Sequence, residues 1–383
     1  MARTVMLMGM GALGAAALEI LARSEGVDRL VCSDVNEELG VFKMDCAAVG
    51  SALQGFNKRF EFRRADVTDI DGTARLLQEI KPDVILCSTV TEQRRHFRKL
   101  PLPEDVRERL NAAGTAGWIA WNLLLPGKFI QSVIKSGIQT HVVNSSYPDA
   151  VNAALWKRFG FGPTVGAGNI ARIVGNIAKH VSTVEDVPVQ DITVCMVVAI
   201  GVITHGARSG VPFFLRILLQ DRDITEKFDI PWLVDDCLSS PRKKVGVANP
   251  DASSILLGTL FARNVLAIAM DSNEYVHAPG PNGLLGGYPT RLGAKGAQIV
   301  LPQGITMERA IAMNEEGMRL AGIARIEGDG TVVLGDKTYY AMKELGYDCK
   351  ELPFDELETR CAQLQKLSRR LLALGEAQQA GGG

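Results

Sequence analysis

A glycine-rich turn near the N-terminus has the spacing to hold a pair of phosphates. Gly9-Met10-Gly11-Ala12-Leu13-Gly14 follows an apolar run, Thr4 to Met8, and leads into an Ala- and Leu-rich stretch, Ala12 to Arg23. In a G-x-G-x-x-G pattern the first glycine permits a tight turn and the second lets the backbone approach a pyrophosphate. The third lets helix and strand pack closely. A helix starting at Ala12 and Leu13 aims its free amides and positive dipole end at those phosphates. Asp34 stands twenty positions after Gly14, at the end of the strand-like run Asp28 to Ser33. Its carboxylate would accept hydrogen bonds from ribose hydroxyls and repel a 2′-phosphate, so the pattern predicts NAD in preference to NADP. Ser88, Thr89 and Asn144, at the ends of later strand-like runs, join the expected cofactor contacts.

Other residues carry proton and anion chemistry. His205 sits in Thr204-His205-Gly206, just beyond the apolar strand Asp191 to Ile200. Histidine is the usual proton donor and acceptor near neutral pH, and a turn after a buried strand is a common place for reactive residues. Arg172 can hold a carboxylate by a bidentate pair of charge-assisted hydrogen bonds. The segment Thr91 to Glu108 is arginine-rich, interrupted by Pro101 and Pro103, and reads as a long loop beyond a strand's carboxyl end. One of Arg94, Arg95 and Arg98 could close over a substrate and polarise its carbonyl.

The elements that must position these groups alternate in type. Ile80 to Cys87 and Ile138 to Asn144 read as further strands, with a helix over Pro126 to Ser136 between them. Strand–helix alternation predicts a Rossmann-type doubly wound α/β domain with a mostly parallel sheet. Long apolar helices are predicted over 253–270 and 306–323, and an amphipathic one over Asp355 to Leu374, ahead of a frayed Gly-Gly-Gly end. The 383 residues carry a net charge of −1, which supplies no broad basic surface for nucleic acid. No apolar run reaches the roughly 20 residues that span a bilayer. Seven cysteines lack any Cys-x-x-Cys pair and the five histidines show no metal-ligand spacing, so no metal is expected. Buried thiols in a reducing cytoplasm fit that usage. The apolar N-terminus reads as structure, since glycines interrupt it at fingerprint spacing.

Later segments resemble the lactate/malate dehydrogenase family, in family order. Ser145 to Lys157 (SSYPDAVNAALWK) is similar to its S-N-P-V-D…W-K segment, and Gly166 to Arg172 (GAGNIAR) to its G-S-G…L-D-x-x-R segment. Thr204 to Pro212 (THGARSGVP) resembles H-G-D-S-x-V-P, Ala252 to Gly258 the start of a substrate-side helix, and Gly286 to Pro302 the late G-V-P…G-x-x-G segment. The resemblance covers about residues 1–325. It implies an NAD-binding domain over 1–145, an α+β catalytic domain over 146–326 and a C-terminal extension over 327–383. It also implies hydride transfer between the nicotinamide and a 2-oxo or 2-hydroxy acid, with His205 as proton donor or acceptor and Arg172 as carboxylate anchor. A homodimer or homotetramer is expected.

The sequence departs from the family at the substrate. Asn169 takes the place of the aspartate that orients the histidine; it can hold an imidazole but carries no charge. Ser146 aligns with the family's substrate-side asparagine, Ala207 with an aspartate, and Ser253 with a small hydroxyl near the nicotinamide. Arg208 adds a cation, pointing to a larger or more acidic substrate than lactate or malate. The alternatives are a reductase of an imine or a ketone without a carboxylate, and an NAD-binding regulatory protein without turnover. Residues 65–90 also resemble an extended short-chain dehydrogenase, but the chain's sole Tyr-x-x-x-Lys, Tyr339 with Lys343, comes far too late.

Overall fold

Thr4–Met8 forms β1, buried at every position, and near-continuous apolar runs build most of the strands beside it. The computed structural model describes residues 3–92, 97, 100–239 and 250–381. The loop cations Arg94, Arg95 and Arg98, and Gly382 and Gly383 of the expected frayed end, lie outside the described residues. The first sheet adds β2 (Arg29–Ser33), β3 (Arg59–Phe62), β4 (Val84–Cys87), β5 (His141–Asn144) and β6 (Val165–Gly166). All its pairs are parallel, in the order β3-β2-β1-β4-β5-β6. The order reverses between β1 and β4, the crevice where open α/β sheets bind ligands.

Helices cover both faces. On one lie α1 (Ala12–Ala22) and α2 (Glu37–Leu53). On the other lie α3 (Ile70–Ile80), α4 (Glu104–Ala113) and α5 (Ile119–Ser136). After β5 come α6 (Pro148–Phe159), β6 and α7 (Ala171–Val184). A second sheet is antiparallel, in the order β10-β11-β7-β8-β9 with β12 on β11. Its strands are β7 (Ile192–Val198), β8 (Phe213–Leu219), β9 (Arg222–Asp223), β10 (Glu274–Pro279), β11 (Gly287–Gly293) and β12 (Gly296–Ile299). Between them run α8 (Gly201–His205), α9 (Ile230–Ser239) and α10 (Pro250–Ala269). Helix α10 lies tight against α1, where a Cβ on Gly258 would come within 2.9 Å of Ala16. The fold is thus the expected Rossmann-type α/β unit followed by an α+β unit.

The chain then runs through α11 (Met307–Leu320), β13 (Ile323–Ile326), β14 (Val332–Leu334), α12 (Asp336–Glu344), β15 (Glu351–Leu352) and α13 (Leu357–Gly381). The three strands form a small antiparallel sheet. Helix α13 buries Leu364, Leu367 and Leu371 in the same core as Trp118, Trp121 and Phe129 of the first unit. The apolar spacing that predicts this helix therefore faces the chain's own body. Six of the seven cysteines are buried, and burial pushes the Cys32 thiol up to about 12.

Two segments differ from their sequence reading. Helix α4 begins inside the stretch expected as loop, at Glu104, because Val106, Leu110 and Ala113 give one narrow apolar side to an otherwise charged helix. Helix α5 begins at Ile119 rather than at Pro126, which lies inside it.

Candidate active site

The carboxyl edge of the first sheet gathers the glycine turn and the loops after β2, β3, β4 and β5 around a cleft of about 530 Å³. The ladder itself fixes these loops. Gly9 N donates to Ser33 O at 2.8 Å, Ser88 N to Met8 O at 2.8 Å, and Ser145 N to Cys87 O at 3.0 Å. Gly9 has φ +100°, and a Cβ there would lie 2.8 Å from Ser88 O. A Cβ on Gly14 would lie 2.0 Å from Gly9 O, so that position is closed to any side chain. A Cβ on Gly11 would meet nothing within 4 Å, because it would project into the cleft. The start of α1 has no side-chain cap and no acidic residue in its first turn, which leaves its amides to whatever fills that cradle. Ala12 and Leu13 line the cleft beside it.

Asp34 reaches the cleft from the end of β2. Its Oδ2 accepts from Met10 N at 2.6 Å and its Oδ1 from Asn36 N at 3.0 Å. These bonds fix the carboxylate while each oxygen keeps a second lone pair. Asp66 lines the same end; hydrogen bonds from the Thr68 hydroxyl and amide hold its carboxyl below the usual range. Ser88, Thr89 and Ser146 line the cleft toward β4 and β5. Asn144, expected among the cofactor contacts, lies behind the wall instead. It is fully buried, donating to Asn152 Oδ1 at 2.8 Å and to Ser146 O at 3.2 Å, and it shapes the turn rather than touching the cleft.

Asn122 was not singled out by sequence. It lines the cleft from α5, and the Ser146 hydroxyl is shared between its carbonyl O (3.2 Å) and its Oδ1 (3.1 Å). The reason is Pro126. A proline four residues on has no N–H to give the Asn122 carbonyl, and Ser146 from another element supplies the missing donor.

Beyond the cleft, Gly168 (φ +87°) and Asn169 (φ +47°) turn the chain from β6 into α7. Asn169 Nδ2 donates to Asp149 Oδ2 at 2.6 Å. Asp149 is fully buried in the first turn of α6, and its Oδ1 has no hydrogen-bond partner among the described residues. Burial pushes this carboxyl up to about 7, against the hydrogen bond from Asn169. The expected Asn169–His205 contact is replaced by this pair. His205 ends α8, exposed, and its Nε2 hydrogen-bonds Leu320 O at 2.8 Å. A carbonyl can only accept, so Nε2 carries the proton and Nδ1 is the nitrogen left for exchange. Arg172 stands half-buried in the first turn of α7. Arg208, expected to add a substrate-facing charge, is exposed and paired through Nε with Asp235 Oδ2 at 2.7 Å. Ser253 is exposed in the first turn of α10. Tyr339 and Lys343 do meet, Lys343 Nζ donating to the Tyr339 hydroxyl at 3.1 Å, but on α12 in the extension. Among the described residues no group of three His, Cys, Asp or Glu side chains could hold a metal, and no helix is long and apolar enough to cross a membrane.

No family model and no curated protein matches the chain by sequence. Solved structures match by shape. A minor L-lactate dehydrogenase from Enterococcus mundtii in a ligand-bound form aligns with 83% of this chain and 95% of its own, at TM-score 0.56 and 16% identity. Malate dehydrogenase from Plasmodium falciparum in complex with NADH aligns with 89% of this chain and 99% of its own, at TM-score 0.57 and 13% identity. Lactate dehydrogenase from Eimeria maxima with NADH and oxamate aligns with 83% of this chain and 91% of its own, at TM-score 0.59 and 14% identity. At such identities the likeness is one of architecture: the chain is built on the lactate/malate dehydrogenase fold.

Proposed function

We propose that this protein is an NAD-dependent oxidoreductase that transfers a hydride between the nicotinamide and a 2-oxo or 2-hydroxy acid. The observation that carries this reading is the open cradle at Gly11, set between the uncapped start of α1 and the Asp34 carboxylate in a cleft at the switch point of the sheet. Solved structures of the same fold with NADH support it. The bound dinucleotide would supply or accept the hydride. Gly11 and the amides of Ala12 and Leu13 would hold its pyrophosphate, Asp34 its adenosine ribose, and Ser88 and Thr89 the stretch toward the nicotinamide. Asp34 favours NAD by repelling a 2′-phosphate.

On the substrate side, Arg172 would hold the carboxylate. His205 would move the proton through Nδ1, with its Nε2–H held by the Leu320 carbonyl. Ser253 and an arginine of the loop after Thr91 complete the proposed substrate contacts. Oligomerisation as a homodimer or homotetramer belongs to the same reading; exposed apolar residues on α2, among them Phe42 and Val49, support it. The free thiols suit a reducing cytoplasm.

A second reading has one observation in its favour. The imidazole of His205 rests on a carbonyl, and the Asn169 amide rests on Asp149, so among the described residues no carboxylate backs the histidine. A dinucleotide-binding regulatory protein needs no such dyad. Following NADH absorbance across a panel of 2-oxo acids and imines separates the two. Turnover with 2-oxo acids that collapses in His205→Asn, while NADH still binds, supports the enzyme; tight NADH binding with no turnover across the panel supports the regulator. Arg172→Met should raise KM sharply for carboxylate substrates and not for imines.

A further inference from the structure

A second pocket, of about 620 Å³, lies between α4, the turn before α5, and α8. It starts one helical turn from the cofactor cleft. Asn122 lines the cleft, Trp118 lines the pocket, and Asn122 Nδ2 donates to Trp118 O at 3.3 Å. Asn122 and Ser146 mark the β5 side of the cleft, while Asp34 and Asp66 mark the β2 and β3 side. A dinucleotide with its adenosine ribose on Asp34 therefore has its reactive end toward Asn122, the end nearest the pocket. The other wall is α8, whose Thr204 lines the pocket and precedes His205.

The lining is divided, an apolar wall facing the polar side chains of Asn111, Thr115 and Thr204 and one cation. Phe97 and Trp118, with ring centroids 5.0 Å apart, make an apolar wall with Leu110, Ile200 and Ile203. Among the described residues, Arg107 is the only charged one of the lining. One of its terminal nitrogens donates to Leu100 O at 3.0 Å, and it forms no ion pair among the described residues. Arg109, on the same helix, is bound by both Asp105 and Glu344. A half-buried guanidinium at a pocket with one apolar wall, and with no counter-ion among the described residues, is a site for an anion on an apolar stem. The size is that of a ligand pocket, and a methyl side chain would leave nearly all of it to water.

We propose that this pocket takes the side chain of the substrate, an apolar chain that ends in an anionic group held by Arg107. The proposal rests on the oxidoreductase reading above and names the substrate class: 2-oxo acids with a long side chain and a distal carboxylate. The sequence clue for an acidic substrate, Arg208, is already met by Asp235, and Arg107 takes over that role.

The test uses the full chain and three measurements. In calorimetry with NADH present, 2-oxoadipate should bind at least tenfold more tightly than uncharged 2-oxohexanoate, and kcat/KM should follow the same order. Arg107→Leu should bring that ratio to about one through KM, and Arg107→Lys should restore part of it. Ile203→Trp, which fills the pocket, should weaken both long acids. Glutarate, which needs neither cofactor nor turnover, should quench tryptophan fluorescence in the wild type and not in Arg107→Leu. Equal binding of the charged and uncharged acids, or a ratio untouched by Arg107→Leu, overturns the pocket even if NADH binds and pyruvate turns over. Failure to bind NADH overturns the oxidoreductase reading instead, and glutarate quenching then decides the pocket alone.

Discussion

At Gly11 and Gly14 a single added side chain should have opposite consequences. Gly14→Ala drives a methyl into the Gly9 carbonyl and should cost about 1–3 kcal/mol of stability or more, read as a lower unfolding midpoint. Gly11→Ser gives α1 a good cap and meets no protein atom, so the fold should hold while NADH affinity falls at least tenfold in titration. If Asp34 holds the ribose as proposed, Asp34→Ala should weaken NAD by roughly 10- to 100-fold while sparing NADP. Two buried groups set an acid–base balance. Asp149 is pushed up to about 7, so its contribution to stability is fully present below the ordinary aspartate value of 3.8 and is lost as pH rises toward 7. His277, buried without a hydrogen-bond partner for either ring nitrogen among the described residues, is pushed down to about 3. Its contribution is present above 6.5 and lost as pH falls toward 3. Between about pH 4 and 6.5 the two slopes oppose, each about 1.4 kcal/mol per pH unit at most. Asp149→Asn should leave the His277 slope bare, so denaturant melts of this variant should lose stability below pH 6.5 faster than wild type. Equal pH dependence in the two proteins would falsify the assignment. The glycine turn and Asp34 are legible in sequence because one short segment and one strand end fix them. The Asp149–Asn169 pair is not, since it joins the first turn of α6 to the turn before α7, whose meeting depends on β5 and β6 lying side by side.

Among the elements, α5 was misread for a physical reason. Proline is favoured in the first turn of a helix, so Pro126 reads as a start; here it is tolerated in mid-helix because Ser146 satisfies the carbonyl it frees. The residues before it, Ile119 to Leu125, are almost all apolar and show no helical period to mark the true start. Helix α4 was hidden by the reverse problem, a charged composition with few apolar positions. Strands β1, β2, β4 and β5 were easy to find because burial makes them short apolar blocks, while the half-exposed edge strand β3 and the two-residue β6 left no such block. Helix α13 was visible by spacing, but what it covers was not. Leu364 is fully buried against the first unit's core, and Leu364→Ala should cost about 2–4 kcal/mol in denaturant melts. An exposed helix of the same spacing would show almost no change.

For the whole molecule, light scattering should give two or four subunit masses under the proposed oligomerisation. Phe42→Glu, at an exposed apolar position of α2, should shift that mass toward one subunit without lowering the melting temperature of the monomer. The doubly wound parallel sheet follows from strand–helix alternation, whereas the α+β unit after it was legible only through the family resemblance. The pocket at Arg107 was not legible, because its walls come from two stretches far apart in sequence, 97–118 and 200–204. The joint core of α5 and α13 has a further consequence in time. Trp118, Trp121 and Phe129 leave the ribosome more than two hundred residues before Leu371, their last partner in that core. At usual rates of synthesis, roughly 10–50 seconds separate the two. Throughout that interval the nascent chain carries an unfinished aromatic surface, so its yield in the cell should depend on chaperones that hold such surfaces until translation ends.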